Sequence, residues 1–227
     1  MLQLGAAAVP YALKRSRRRR TLGLTVTPQE IRIHAPSWTP RGEIERYVAQ
    51  QHGWLVRAWS RMQVRDALPD AASASRVQYL GRSLALVVQA SLFTEVWRKG
   101  DTLHIDAPLD ADISQLVRAW LHARAARLLV WRLARLARAL GRAPSRFALS
   151  NAQTQWGSCT RSGHVRLNWR LVQAPLAIID YVAAHELAHL IHLDHSPRFW
   201  AQVAVLCPDA LARRAELRRM SSALFRV

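Results

Sequence analysis

Long uncharged apolar runs are what this sequence most plainly lacks. Arginines interrupt every hydrophobic stretch, so none reaches the eighteen or so residues a membrane-spanning helix needs, and no membrane partner is expected. Cysteine is nearly absent. Cys159 and Cys207 have neither metal-ligand spacing nor the density of a disulfide framework, which fits a reducing cytoplasm. Lysine is as scarce, with only Lys14 and Lys99, and acidic residues number 15 against 33 basic ones. The resulting net charge of +18 is therefore almost all arginine, which makes nucleotide or nucleic acid a partner to consider. No segment resembles a base-reading module, and solvated arginine faces account for such a charge equally well.

A signal peptide's order is also missing. Met1 to Tyr11 is mildly apolar, but the basic cluster Lys14, Arg15, Arg17, Arg18, Arg19 and Arg20 follows it rather than preceding it. A twin-arginine export signal at Ser16 to Leu24 would need a continuous apolar segment after it, where the chain instead reads Thr25-Val26-Thr27-Pro28-Gln29-Glu30. A cytoplasmic protein is expected, with residues 1–20 as a basic tail and residues 21–227 as one domain.

What is present alternates between strand and helix patterns. Thr21 to Thr27 and Ile31 to Ala35 read as a hairpin, followed by a helix capped by Thr39, opened by Pro40 and continued by Ile44, Tyr47, Val48, Leu55 and Trp59. Asp66 to Arg76 reads as a loop. Val77 to Gln89 and Val96 to Asp106 read as strands, with a turn near Gly100-Asp101. Asp112 to Leu140 has helical periodicity ending at Gly141 as a C-cap. On its other face Arg124, Arg127, Arg135, Arg138 and Arg142 fall within roughly 80° of one another on a helical wheel, a stripe that suits the solvated side of an amphipathic helix or phosphates. Phe147 to Gln155 and His164 to Leu171 then read as a hairpin around Arg161-Ser162-Gly163. Pro175 opens a largely buried helix through Ile178, Ile179, Val182, Leu187, Leu190 and Ile191.

That last helix carries His185-Glu186-Leu187-Ala188-His189. Two imidazoles four residues apart lie one turn apart on one face, so both can meet a single Zn2+ with Glu186 beside it as general base. A catalytic zinc takes three protein ligands and keeps one position for water. Among His192, Asp194, His195, Asp209 and Glu216, the helix geometry favours His195. His192 lies about 10.5 Å beyond His185 along a straight axis, too far to share the ion. Ser196-Pro197 must break the helix and can cap a new one, leaving His195 at a bend that swings it back.

The chain further contains Trp156-Gly157-Ser158-Cys159, Leu167-Asn168-Trp169-Arg170-Leu171, Ala174-Pro175, Ile179-Asp180-Tyr181-Val182, His185 through Leu190 and His195-Ser196-Pro197-Arg198-Phe199-Trp200. This set resembles the YgjP-like metal-dependent hydrolases, relatives of SprT-like and WSS-type metallopeptidases. The arginine-rich first strand, Ala35-Pro36 and Tyr79-Leu80-Gly81 extend the resemblance over nearly the whole chain. It implies an α+β, minimal zincin-like metallopeptidase domain with an N-terminal hairpin and helix region and an HExxH active-site helix, its metal core at 145–207. It also implies His185, His189 and His195 as zinc ligands and Glu186 as catalytic acid and base. The chain departs from the pattern at Gln155, where family members commonly carry a basic residue, so an anion contact from that position is not carried over.

The expected reaction is hydrolysis by a zinc-activated water, with a peptide or protein as substrate. Strand addition of the peptide to His164 to Leu171, with Asn168 and Trp156 shaping the cleft, would hold it beside the metal. A nucleoside triphosphate hydrolase using the same metal, or a nucleic-acid-associated SprT-like protease, are the alternatives that the arginine excess keeps open.

Overall fold

Apolar residues on alternate positions of Leu24, Val26, Ile31 and Ile33 build the expected first hairpin. The computed structural model describes residues 1–5, 7–67 and 76–226. In it β4 (Gly23–Val26) pairs antiparallel with β5 (Ile31–Pro36), Leu24 opposite Ile33, and the turn is closed by Thr27 N–H donating to the Glu30 carbonyl. Three strands precede them: β1 (Leu2–Leu4), β2 (Ala7–Val9) and β3 (Tyr11–Ser16). Within the segment expected as a basic tail, residues 2–4, 7–9 and 11–16 are thus strand. Leu4 and Val9 bury their side chains, and β3 runs parallel to β5 with Tyr11 opposite Ile31, leaving its basic residues on an exposed edge.

The helix expected from Pro40 is two helices, α1 (Arg41–Gln50) and α2 (His52–Ala67), broken at Gln51. Pro40 rather than Thr39 occupies the cap position, because its ψ of 147° is still extended. Asp66 and Ala67 belong to α2, and residues 68–75 of the expected loop lie outside the described residues. The two long strands expected next are each shorter. β6 (Arg76–Tyr79) and β7 (Arg82–Ser91) are separated by a turn at Leu80-Gly81, both with positive φ, while β8 (Glu95–Lys99) and β9 (Thr102–Ala107) form the hairpin around Gly100-Asp101. The larger sheet has the order β3-β5-β4-β7-β9-β8, with β6 beside β7.

The chain divides into two compact units, Met1–Arg76 with Ala85–Ile113, and Val77–Leu84 with Ser114–Val227. The first has its own core, Leu24, Val26, Ile31, Ile33, Ile44, Val48, Leu55 and Ala58. The mixed helix-and-strand content agrees with the α+β expectation.

The second unit holds the sequence motifs. α3 (Ile113–Leu140) buries Val117, Leu121, Ala125, Leu129, Leu133 and Leu136 along one stripe and ends in a Schellman-type cap. There Gly141 takes φ +73°, and the Arg142 N–H donates to the Ala137 carbonyl. The arginines of the opposite stripe are exposed.

The hairpin expected around Arg161 to Gly163 is corrected in its partner. β12 (His164–Asn168) pairs antiparallel with the short β11 (Gly157–Cys159) and parallel with β10 (Arg146–Ser150). The chain doubles back through β11, so β10 and β12 run the same way. β12 therefore has both edges filled and cannot receive an added strand, whereas β11 is paired on one side only among the described residues. Strand geometry also stops at Asn168. Its side chain accepts from Arg170 N–H and starts a 3₁₀ turn, Trp169–Gln173, in which Trp169 and Leu171 remain buried.

α4 (Leu176–Ala188) is apolar nearly all round, as a central helix must be. It packs against β11, β12, α5 (Pro197–Leu206) and α6 (Ala210–Leu224). Two further contacts hold it. Asp180 accepts from Arg132 and from Arg135 of α3, the latter at 3.0 Å, and the Leu80-Gly81 turn donates its two N–H groups to the carbonyls of Val172 and Gln173 just before α4. Among the described residues no helix is long and apolar enough to cross a membrane.

Candidate metal centre

α4 delivers His185 and Glu186 from its last turn, and His189 stands at its C-cap. The chain then turns through 190–194, and Ser196 caps α5 by accepting from the Phe199 N–H, with Pro197 as the first helical residue. This bend brings His195 back, as the Ser196-Pro197 break implied. One ring nitrogen from each of His185, His189 and His195 lies within 4.8 Å of the others. His192 is not part of the cluster. It contributes its backbone carbonyl, 3.0 Å from His189 Nδ1.

The donor set fits a divalent metal ion. The Nε2 atoms of His185 and His195 are 3.3 Å apart, and two nitrogens of a tetrahedral site at about 2.0–2.1 Å from the ion would be separated by about 3.3–3.4 Å. The His192 carbonyl takes the Nδ1 proton of His189, which leaves its Nε2 lone pair free. His185 Nδ1 is buried without a protein partner. Burial, reinforced by His189, His195 and Arg214, pushes the pKa of His185 down to about 4, so its ring is neutral and can donate a lone pair near neutral pH. The aromatic side chains of Phe199 and Trp200 back the cluster, their ring centroids 4.9 and 5.8 Å from that of His185.

Glu186 is 5 % exposed, and burial alone pushes its carboxyl up to about 8. It lines a cleft of about 480 Å³ together with all three histidines. Trp156, Gly157, Ser158, Cys159, Tyr181 and Leu217 are also on that wall. β11 thus runs along the cleft beside the histidines.

Of the two residues expected to shape the cleft, Trp156 does and Asn168 does not. Trp156 stacks on Phe225 at 4.2 Å and donates Nε1–H to Ser221 Oγ at 2.9 Å, so α6 braces it. Asn168 is fully buried and donates to the Ala152 and Gln155 carbonyls, which shapes the loop leading to Trp156. Trp169 belongs to the core, as a buried ring usually does.

Sequence reasoning passed over Gly157 as a site residue. A Cβ there would lie 2.5 Å from Glu186 Oε1 and 2.6 Å from its Cγ, so only glycine leaves room for the carboxylate. The Trp-Gly-Ser-Cys motif was the available signal, but nothing in a linear sequence says which distant side chain a glycine faces.

No curated protein and no solved structure matches the chain. A family model described as YgjP-like, metallopeptidase domain matches residues 20–220, which include the whole histidine cluster and the cleft around it. With that match over most of its length and three histidines that can hold the metal such a peptidase uses, the chain belongs to the YgjP-like metallopeptidase family.

Proposed function

We propose that this protein is a zinc-dependent peptidase in which His185, His189 and His195 hold the metal and Glu186 is the general base, the HExxH segment and its surroundings forming a minimal zincin-like site. The observation that carries this reading is the convergence of three histidine nitrogens and one buried carboxylate on a single cleft that also exposes a strand edge. Zn2+ held there supplies Lewis-acid polarisation of a scissile carbonyl and makes water acidic enough to ionise near pH 7.

The chain's own residues do the rest. The free edge of β11 offers the backbone groups of Gly157 to Cys159 to an extended peptide, which positions one carbonyl beside the histidines. The positive charge of a metal held by the histidines would oppose the effect of burial on Glu186 and favour its carboxylate, which accepts the proton of the attacking water and returns it to the leaving nitrogen. The braced Trp156 closes one wall of the cleft against bulk water.

The test is metal content of the purified protein and of Glu186→Gln, with parallel hydrolysis assays on an unstructured protein and on nucleoside triphosphates. The reading expects about one zinc in both proteins and protein hydrolysis by the wild type alone. Hydrolysis of triphosphates only would replace a peptide with a nucleotide as substrate. Absence of bound metal from both would end the reading.

A further inference from the structure

The cleft does not end at the histidines. His189 and Leu193 also line a second cavity of about 390 Å³, whose other walls are Arg142, Ala143 and Ser145 after α3, Thr160 to Gly163 between β11 and β12, and Leu190 and Ile191. A peptide laid along the free edge of β11 toward Cys159 runs on to this cavity, since the 160–163 turn directly continues that strand.

The walls are built rather than loose. The turn is closed by Gly163 N–H donating to the Thr160 carbonyl at 2.8 Å, and Gly163 takes φ +81° to make it. Ser145 clamps the turn from the other side. Its hydroxyl donates to the Ser162 carbonyl at 2.7 Å, and its N–H donates to the Gly163 carbonyl at 3.0 Å.

Charge is distributed unevenly over this surface. Among the described residues that line the two cavities Glu186 is the only carboxylate, and the second cavity has none. Two guanidinium groups, Arg142 and Arg161, belong to the second cavity, and among the described residues neither makes an ion pair or a side-chain hydrogen bond. Other arginines of this unit are used: Arg132 and Arg135 by Asp180, Arg213 by Asp209 and Glu216, and Arg214 by the ring of Trp200. The charge of Arg142 reaches into the cleft. Burial and the Glu186 charge raise the Cys159 thiol, and Arg142 acts against that rise.

We propose that Arg142 and Arg161 form a carboxylate-binding subsite, so that the peptides cleaved here carry an aspartate or glutamate on the side of the scissile bond that lies against the 160–163 turn. This rests on the peptidase reading of the neighbouring histidine cluster. Guanidinium groups present forked donors that match a carboxylate in two parallel hydrogen bonds. A cavity of this size takes one such side chain and leaves the strand-bound backbone undisturbed.

The test uses two readouts. The first is kcat/KM for peptides identical except for Glu, Gln or Lys at each position flanking the scissile bond. The second is fluorescence anisotropy of the labelled Glu and Gln peptides on zinc-loaded Glu186→Gln, which binds without cleaving. Both are repeated with Arg142→Ala/Arg161→Ala. A control of equal charge, Arg127→Ala/Arg219→Ala, removes two arginines that line neither cavity.

The expected result is a Glu-over-Gln preference at one position that falls on the order of ten-fold in the subsite variant and stays in the control, since each such contact with an exposed arginine is worth a few-fold. Arg142→Glu should move the preference toward Lys. A preference absent from the wild type, or equal in subsite and control variants, overturns the subsite and leaves the peptidase reading standing. If no peptide is cut, the peptidase reading fails. Anisotropy then decides the subsite separately, and triphosphate hydrolysis that depends on Arg142 and Arg161 would overturn the acidic peptide in favour of a nucleotide.

Discussion

Replacing Gly157 by alanine adds one methyl group where the structure has no room for it. The new Cβ would lie 2.5 Å from Glu186 Oε1, 2.6 Å from Cγ and 2.7 Å from Cδ. Comfortable carbon contacts are about 3.5–4.0 Å, so the carboxylate must retreat by on the order of 1 Å. Turning the carboxyl group alone does not relieve the contact, because Cγ is as close as the oxygen. Gly157 has no left-handed backbone conformation to lose, so the cost of alanine falls on Glu186 rather than on β11. A displacement of this size at a catalytic group costs on the order of 100-fold. None of the three histidines is among the atoms nearest the new methyl. The expected outcome is therefore kcat/KM for peptide hydrolysis down by about 100-fold with bound zinc per chain unchanged. Gly157→Ala with full zinc and activity within about three-fold of wild type would refute the argument that this glycine exists to seat Glu186.

Asp180→Asn should lower stability by about 2–3 kcal/mol in chemical denaturation. It removes the charge that satisfies Arg132, in a pair whose side chains are only 12 % and 17 % exposed. An unchanged midpoint would mean that the α3 to α4 clamp contributes nothing. In the first unit, Thr25 Oγ1 lies 3.3 Å from His34 Nε2 and 3.4 Å from Asp106 Oδ2, and these two groups are shifted in opposite directions. Burial, then the charges of Arg19, Lys14 and Arg32, push His34 down to about 4. Burial and Glu95 push Asp106 up to about 6 against the Thr25 hydrogen bond. Between about pH 4 and 6 the unfolded chain carries its proton on the histidine and the folded chain on the aspartate, so the two contributions cancel. Asp106→Asn should leave only the histidine, so that stability relative to wild type falls as pH drops from about 6 to 4; His34→Gln should make it fall as pH rises through the same window. Parallel curves of Tm against pH for both variants and the wild type would contradict the paired shifts.

Much of the second unit was legible from the chain. The helical spacing of Val117, Trp120 and Leu121 and the glycine at 141 define α3 locally, because a helix satisfies its own backbone and needs only a stripe to face the core. The break at Ser196-Pro197 was equally local, and the position of His195 followed from it. Strand partnership was not. Phe147 to Ser150 and His164 to Asn168 alternate as hairpin strands do, yet they pair in parallel, because pairing depends on where the intervening chain goes. The strands at residues 2–16 were hidden for the same reason. β1 and β2 are strands because they pair with each other, and the basic residues of β3 say tail until β5 beside it makes it a strand.

By itself, then, the sequence determined the helix that carries His185 and His189 and the bend that brings His195 to them, since residues four apart on a helix must share a face and proline must end one. It determined the sign of the charge and that no helix among the described residues is long and apolar enough to cross a membrane. The division into two units, the free edge on β11 rather than β12, the fit of Glu186 over Gly157 and the placing of Arg142 and Arg161 on the wall of one cavity were decided only by tertiary structure. Each depends on atoms far apart in the chain being packed to within a few ångströms, and no local pattern carries that distance.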